Sequence, residues 1–209
     1  MRVLAIDPGI LNLSYCVLDR SEKTFVVEQW KNVSVIDKSG FNCGEKRMSA
    51  NSLSTTILAD MTFSTLSILF PAKWVRHNLD QVCIESQPKM MGRTCKVGDV
   101  SLAIYSYFRL LIAPIALCCF RFPRVYMIGS ASKFDNGQFA RTDAETYTDK
   151  ASRNFSYAQR KAYSIRLTKA IISSESVSFV SPEIEDGFLA CSKKDDLSDS
   201  FLLALIAVR

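Results

Sequence analysis

Residues 1–19 read MRVLAIDPGILNLSYCVLD, and the architecture turns on this stretch. An apolar run from Val3 to Ile6 ends on the carboxylate Asp7, Pro8 and Gly9 follow, and a second run resumes from Leu13 to Leu18. The pattern predicts two strands joined by a tight turn, with Gly9 free to take a conformation that other residues resist. Asp7 then stands at the end of a buried strand, where a lone charge is costly unless something compensates it.

Further along, TFVVEQWKNVSV (24–35) alternates well enough to predict a third strand, and residues 40–51 read as a polar loop. Apolar residues recur at helical spacing from Ser52 to about Phe70 (Leu53, Ile57, Met61, Leu66, Leu69), and Pro71 ends that run. LDQVCIESQP (79–88) predicts a short strand that again closes on a carboxylate, Glu85. A helix is predicted from about Gly98 to Ile112, with Val100, Ile104, Phe108 and Leu111 on one stripe, and RVYMIG (124–129) is a fifth strand. Residues 130–154 are polar, mixed in charge and without periodicity, which predicts a long loop. SYAQRKAYSIRLTKAII (156–172) and KKDDLSDSFLLALIAV (193–208) predict two closing helices. This order implies a five-stranded mixed α/β sheet, its first three strands antiparallel, with helices on both faces.

Composition sets the bounds. With 209 residues, 48% hydrophobic and 22% charged, the chain is expected to form a single domain over 1–209. A net charge of +5 permits a nucleic-acid partner without requiring one. Seven scattered cysteines without a C-x-x-C pair, and a single histidine, His77, argue against a zinc site and for reduced thiols in an intracellular protein. No signal peptide is expected, and the longest apolar run, LLIAPIALCCF (110–120), falls short of the ~20 residues that span a bilayer. No membrane association is expected.

Asp7, Glu85, Asp196 and Asp199 are the candidate catalytic and metal-ligating residues. Asp196 and Asp199, three apart, share one face of the last helix. If the strands ending on Asp7 and Glu85 are neighbours and that helix packs beside them, four carboxylates meet. Such a set repels itself unless cations intervene, and hard oxygen ligands select Mg²⁺, with Mn²⁺ as substitute. Two ions held ~4 Å apart can clamp a scissile phosphate. Each acid also has a plainer reading: Asp7 as a turn former, Asp195 and Asp196 as partners of a helix N-terminus, Ser192 with Asp195 as a capping box. Asp199 lies beyond the first turn, beside Phe201 and Leu202, where those readings do not reach.

AIDPGILNLSYCVLD (5–19), VCIESQ (82–87) and KKDDLSDSFLLAL (193–205) resemble the three acidic motifs of RuvC-like Holliday junction resolvases of the RNase H-like superfamily, in the branch of poxviruses, other large DNA viruses and fungal mitochondria. The resemblance implies an RNase H-like fold and two Mg²⁺ ions held by Asp7, Glu85, Asp196 and Asp199. It also implies branched DNA as substrate and, were the chain poxvirus-like, a place in the host cytoplasm. YMIGSASKFDNG (126–137) is similar to the region where the family places a lysine near the cleft, here Lys133, and YAQRKAYSI (157–165) to its basic helix, here with Arg160 and Lys161. Lys89, Arg93 and Lys96, in a basic stretch directly after Glu85, and Lys193 and Lys194 complete the candidate DNA-binding set.

A homodimer is expected, because a four-way junction is nearly two-fold symmetric and needs two matched nicks; the Gly98–Ile112 helix is the candidate contact. Tyr105, Tyr107 and Phe108 read as core or dimer contact rather than a base-stacking platform. Three rivals stand beside this reading. One is another RNase H-like nuclease, acting on RNA–DNA hybrids or flaps. A second is an inert nucleic-acid-binding module of the same fold. The third is an actin-like ATPase, which shares the strand–D-x-G–strand opening but needs a second lobe this chain is too short to hold. No nucleotide cofactor is expected.

Overall fold

A computed structural model describes residues 1–21, 24–36, 41–43, 46–48, 52–87, 95–116, 122–129 and 155–208. The strands are β1 (Arg2–Asp7), β2 (Leu13–Ser21), β3 (Thr24–Val33), β4 (Phe41–Cys43), β5 (Lys46–Met48), β6 (Gln81–Ser86), β7 (Arg124–Gly129) and β8 (Val177–Phe179). The helices are α1 (Thr55–Leu69), α2 (Ala72–Asn78), α3 (Lys96–Ala116), α4 (Tyr157–Ile172), α5 (Pro182–Ala190) and α6 (Lys194–Ala207).

Six strands form one sheet in the order β7-β6-β1-β2-β3-β8, and β4 and β5 make a separate two-stranded ribbon. β1, β2 and β3 form an antiparallel meander, whereas β6 joins β1, β7 joins β6 and β8 joins β3 in parallel. The expected mixed sheet is present with one strand more than predicted. β8 has only three residues, too few for alternation to register, and it is held by pairing with Phe25 to Val27. The predicted polar loop at 40–51 contains β4 and β5.

The sheet buries both faces, and strand alternation assigns each residue to one of them. Leu4, Ile6, Tyr15, Val17, Val82 and Ile84 pack against α1 and α3 through Leu58, Leu66, Val100, Ile104 and Phe108. Val3, Ala5, Cys16, Leu18 and Cys83 face the other way, onto α4, α5 and α6 through Ile171, Phe188 and Phe201 to Leu205. Tyr107 and Phe108 are buried in the first of these cores, and Tyr105 packs against it, so the aromatic cluster of α3 is core.

Local signals account for most boundaries. Ser54 caps α1 by accepting from the Ile57 amide, and Ser156 and Gln159 form a reciprocal capping box at the start of α4. The buried stripe of α1 is Leu58, Thr62 and Leu66, while Ile57 turns outward. α6 begins within one residue of its predicted start, but Lys193 occupies the N-cap position with no side-chain cap, so Ser192 and Asp195 do not form the S-x-x-D box. What seats α6 is tertiary. The Trp30 indole donates to the Leu197 carbonyl at 2.9 Å, the Ser14 hydroxyl donates to the Asp196 carbonyl at 2.5 Å, and Trp30 packs against Phe201 with ring centroids 5.2 Å apart.

Gly9 is required for a reason other than left-handed backbone, which it does not adopt. A Cβ there would lie 2.3 Å from the Asn12 carbonyl oxygen, so the β1–β2 turn closes too tightly for any side chain. No single described helix is long and apolar enough to cross a membrane. Cys16, Cys83, Cys95 and Cys191 are free thiols, and burial pushes the Cys16 and Cys83 thiols far up, so both are neutral core fillers.

Candidate metal centre

The alternation that sends Val3 and Ala5 toward α6 sends Asp7 the same way. On the neighbouring parallel strand, Glu85 follows Cys83 by two positions and so shares that face. Ile6 pairs with Ile84 in the ladder, which brings the next residue of each strand, Asp7 and Glu85, side by side. α6 lies across this end of β1 and supplies Asp199. One carboxylate oxygen from each of Asp7, Glu85 and Asp199 lies within 4.8 Å of the other two. Glu85 is 4% exposed, and Asp7 and Asp199 are half-buried.

Neighbouring hydroxyls support this cluster. Ser164 of α4 donates to Asp199 Oδ1, and Ser101 of α3 donates to the Glu85 carbonyl at 3.0 Å. Ser14, the β2 partner of Asp7, ties the α6 backbone at Asp196 to the same corner of the sheet. None of these serines was singled out from sequence. Ser14 has a signal in the hairpin register opposite Asp7, and Ser164 has one in its spacing, three residues after Lys161 on the same helix.

Asp196 sits one helical turn before Asp199 and is not among the three clustered carboxylates. Lys161 of α4 reaches between α6 acids, pairing with Asp195 and lying 3.4 Å from Asp196. Its ammonium also stands 5.1 Å from the centre of the Tyr157 ring. Burial and the adjacent Asp195 charge raise the Asp196 carboxyl above its usual value, against the pull of Lys161. At Asp195 burial pushes upward, but the Lys161 hydrogen bond and charge prevail and hold the carboxyl low. Lys161 itself is raised: burial works against its charge, but Asp195 and the surrounding groups more than compensate.

The candidate basic residues therefore separate. Lys161 is turned inward onto Asp195 and Asp196, and Lys194 donates to the Cys191 carbonyl at 2.8 Å. Arg160 and Lys193 are exposed, and Lys96 is half-buried at the first residue of α3. Lys89, Arg93, Lys133 and the 130–154 stretch lie outside the described residues.

The donor set suits a hard divalent cation: three carboxylates from three different elements, with no thiol or imidazole among the clustered ligand atoms. Asp7, Glu85 and Asp199 are the residues that would hold it.

Sheet order, hairpin opening and the last helix laid across the ends of the central strands β1 and β6 together define an RNase H-like fold of the kind found in Holliday junction resolvases. The chain is similar in structure to the yeast mitochondrial Holliday junction resolvase Ydc2, with a TM-score of 0.64 and 20% identity over 97% of this chain and 77% of that one. It is also similar to the fowlpox virus resolvase solved with its substrate Holliday junction DNA, with a TM-score of 0.56 and 17% identity over 99% of this chain and 96% of that one. No protein-family model and no curated protein sequence matches the chain. At these identities the likeness is one of fold.

Proposed function

We propose that this protein is a Holliday junction resolvase, a structure-selective endonuclease that nicks four-way DNA junctions by metal-assisted phosphodiester hydrolysis. The observation that carries the reading is the convergence of Asp7, Glu85 and Asp199 on one face of the sheet at the ends of β1 and β6, in a fold shared with two resolvases. Mg²⁺, or Mn²⁺ in its place, is the proposed cofactor, with two ions in the working site and Asp196 as an outer fourth carboxylate.

When bound, such ions supply Lewis-acid activation of a phosphodiester and of the attacking water. The chain supplies placement. Asp7 and Glu85 project from adjacent hydrogen-bonded strands, so their spacing is set by the sheet and not by flexible loops. Asp199 comes from a helix held to that sheet by Trp30 and Ser14. Three anionic groups repel an approaching phosphate backbone, so basic residues around the cleft must hold it. Lys96, Arg160 and Lys193 are the described candidates, with Lys89, Arg93 and Lys133 proposed beside them. Lys161, paired with Asp195 and Asp196, and Lys194, bonded to the Cys191 carbonyl, already have partners within the protein and are the weaker candidates.

Two matched nicks call for two clefts, and we assign a homodimer contact to the outer face of α3. Leu102 and Leu110 stand outward there, 61% and 64% exposed, eight residues apart and therefore on one side of the helix. Free thiols fit a reducing intracellular setting.

The test is a side-by-side comparison of a four-way DNA junction, a flap and an RNA–DNA hybrid, with Mg²⁺ and with EDTA. Paired, symmetric nicks in the junction that require the cation are expected, together with a dimer by light scattering. Preferential cleavage of the hybrid makes the protein a different nuclease of this fold, and no cleavage of any substrate makes it a binding module.

A further inference from the structure

We propose that Ser164 is a positioning residue for the metal centre: its hydroxyl, presented by α4, orients the Asp199 carboxylate toward Asp7 and Glu85. The inference rests on the metal-site reading above.

Ser164 is fully buried where α4 packs on α6. A hydroxyl there costs more than a methyl group unless it is hydrogen-bonded. Hydroxyls inside helices ordinarily turn back onto their own helix. Thr62 does so onto the Leu58 carbonyl at 2.6 Å, Ser198 onto Lys194 at 2.7 Å and Ser200 onto Leu197 at 2.9 Å. Ser164 instead donates across to Asp199 Oδ1 on the neighbouring helix.

An aspartate side chain turns broadly about its last torsion, so the backbone of α6 alone does not set the plane of the Asp199 carboxylate. A donor fixed at one oxygen narrows that rotation before any cation arrives, which is how outer-shell hydrogen bonds tune metal ligands. The donor is itself firmly held. α4 starts in a capping box at Ser156 and Gln159, and it ends with Ile171 and Ile172 in the core. Three residues before Ser164, Lys161 grips Asp195 and Asp196, so α4 engages the acidic stretch of α6 over a full turn.

The test is calorimetric titration of Mn²⁺ into the DNA-free protein, wild type against Ser164→Ala and Ser164→Cys, with melting temperatures in EDTA as the control. Thiol replaces hydroxyl at similar size but donates weakly. Both variants should bind Mn²⁺ about tenfold more weakly, with Ser164→Cys melting as wild type does. Affinities equal to wild type in both variants overturn the proposal. So does a loss confined to a destabilised Ser164→Ala and absent from Ser164→Cys. If Ser164→Ala does not fold, the affinity of Ser164→Cys decides between the two outcomes. A wild-type chain that takes up no Mn²⁺ overturns the metal-site reading itself, an outcome distinct from binding that is indifferent to Ser164.

Discussion

Replacing Glu85 with Gln should make the metal-free protein more stable and the metal-loaded protein relatively less so. Glu85 is 4% exposed, with a carboxylate oxygen within 4.8 Å of oxygens from both Asp7 and Asp199. Two unit charges at that separation repel by about 0.9 kcal/mol in bulk water and about 3.5 kcal/mol at an effective permittivity of 20. Glu85 enters two such pairs, so neutralising it removes roughly 2 to 7 kcal/mol of repulsion. The lower figure is the one to expect, because Asp7 and Asp199 are half-exposed and salt screens them. Gln keeps the shape and the hydrogen-bonding reach of Glu. A gain of about 2 kcal/mol raises the melting temperature by roughly 4–8 °C in a chain of this size. Differential scanning fluorimetry in EDTA reads this directly, and the difference should shrink as added salt screens the carboxylates from one another. Mn²⁺ at a hundredfold excess over its dissociation constant stabilises the wild type by about 2.7 kcal/mol, and Glu85→Gln should gain distinctly less. A variant that melts below wild type in EDTA, or that gains as much from Mn²⁺, refutes the clustered-carboxylate account.

Asp199→Asn should reduce junction cleavage by orders of magnitude while junction binding, measured by gel shift, persists or tightens, because a ligand charge is lost and repulsion of phosphate is relieved; normal cleavage by this variant removes Asp199 from the site. Gly9→Ala places a Cβ 2.3 Å from the Asn12 carbonyl oxygen, so the turn must open, at a cost of about 2 kcal/mol or more in denaturant unfolding, with cleavage impaired through the displaced Asp7; a variant of wild-type stability shows that the turn yields easily. Stability should fall in alkali. Burial pushes the Cys16 and Cys83 thiols far above 9.0 and the Tyr15 phenol up from 10.0 to about 12. Each is a group whose folded pKa is raised, so its contribution is complete below the unfolded value and declines above it as the unfolded chain ionises first. Melting temperatures should therefore hold to about pH 9 and drop progressively toward pH 12, and a flat profile across that range contradicts the burial of these groups.

Much of this architecture follows from patterns that act within a few residues. The hairpin around Pro8 and Gly9, the strand ending near Glu85 and the helix carrying Val100, Ile104 and Phe108 are each written as alternation or helical spacing, and each forms. β8 escaped because three residues carry no period, and it exists only through its ladder to Phe25–Val27. The start of α6 was legible to within a residue but its anchoring was not: local chemistry offered a Ser192–Asp195 cap, whereas Trp30 and Ser14, more than 160 residues away in the chain, hold the helix where it lies. The candidate acids show the same division. That Asp7 and Glu85 are strand-end carboxylates is local information. That they point to one face depends on the parallel register of β1 and β6, a long-range pairing. Which of Asp196 and Asp199 joins the inner cluster was decided by how α6 lies across β1 and β2, which brings Asp199 to Asp7 and Glu85; α4 then partners the two acids differently, Lys161 engaging Asp195 and Asp196 and Ser164 engaging Asp199. Spacing along one helix ranks Asp196 and Asp199 as equals. The sheet beneath α6 and the second helix beside it, brought alongside by the burial of Ile171 and Ile172 in the shared core, distinguish them, because a carboxylate's role depends on the charge and donors that surround it in space.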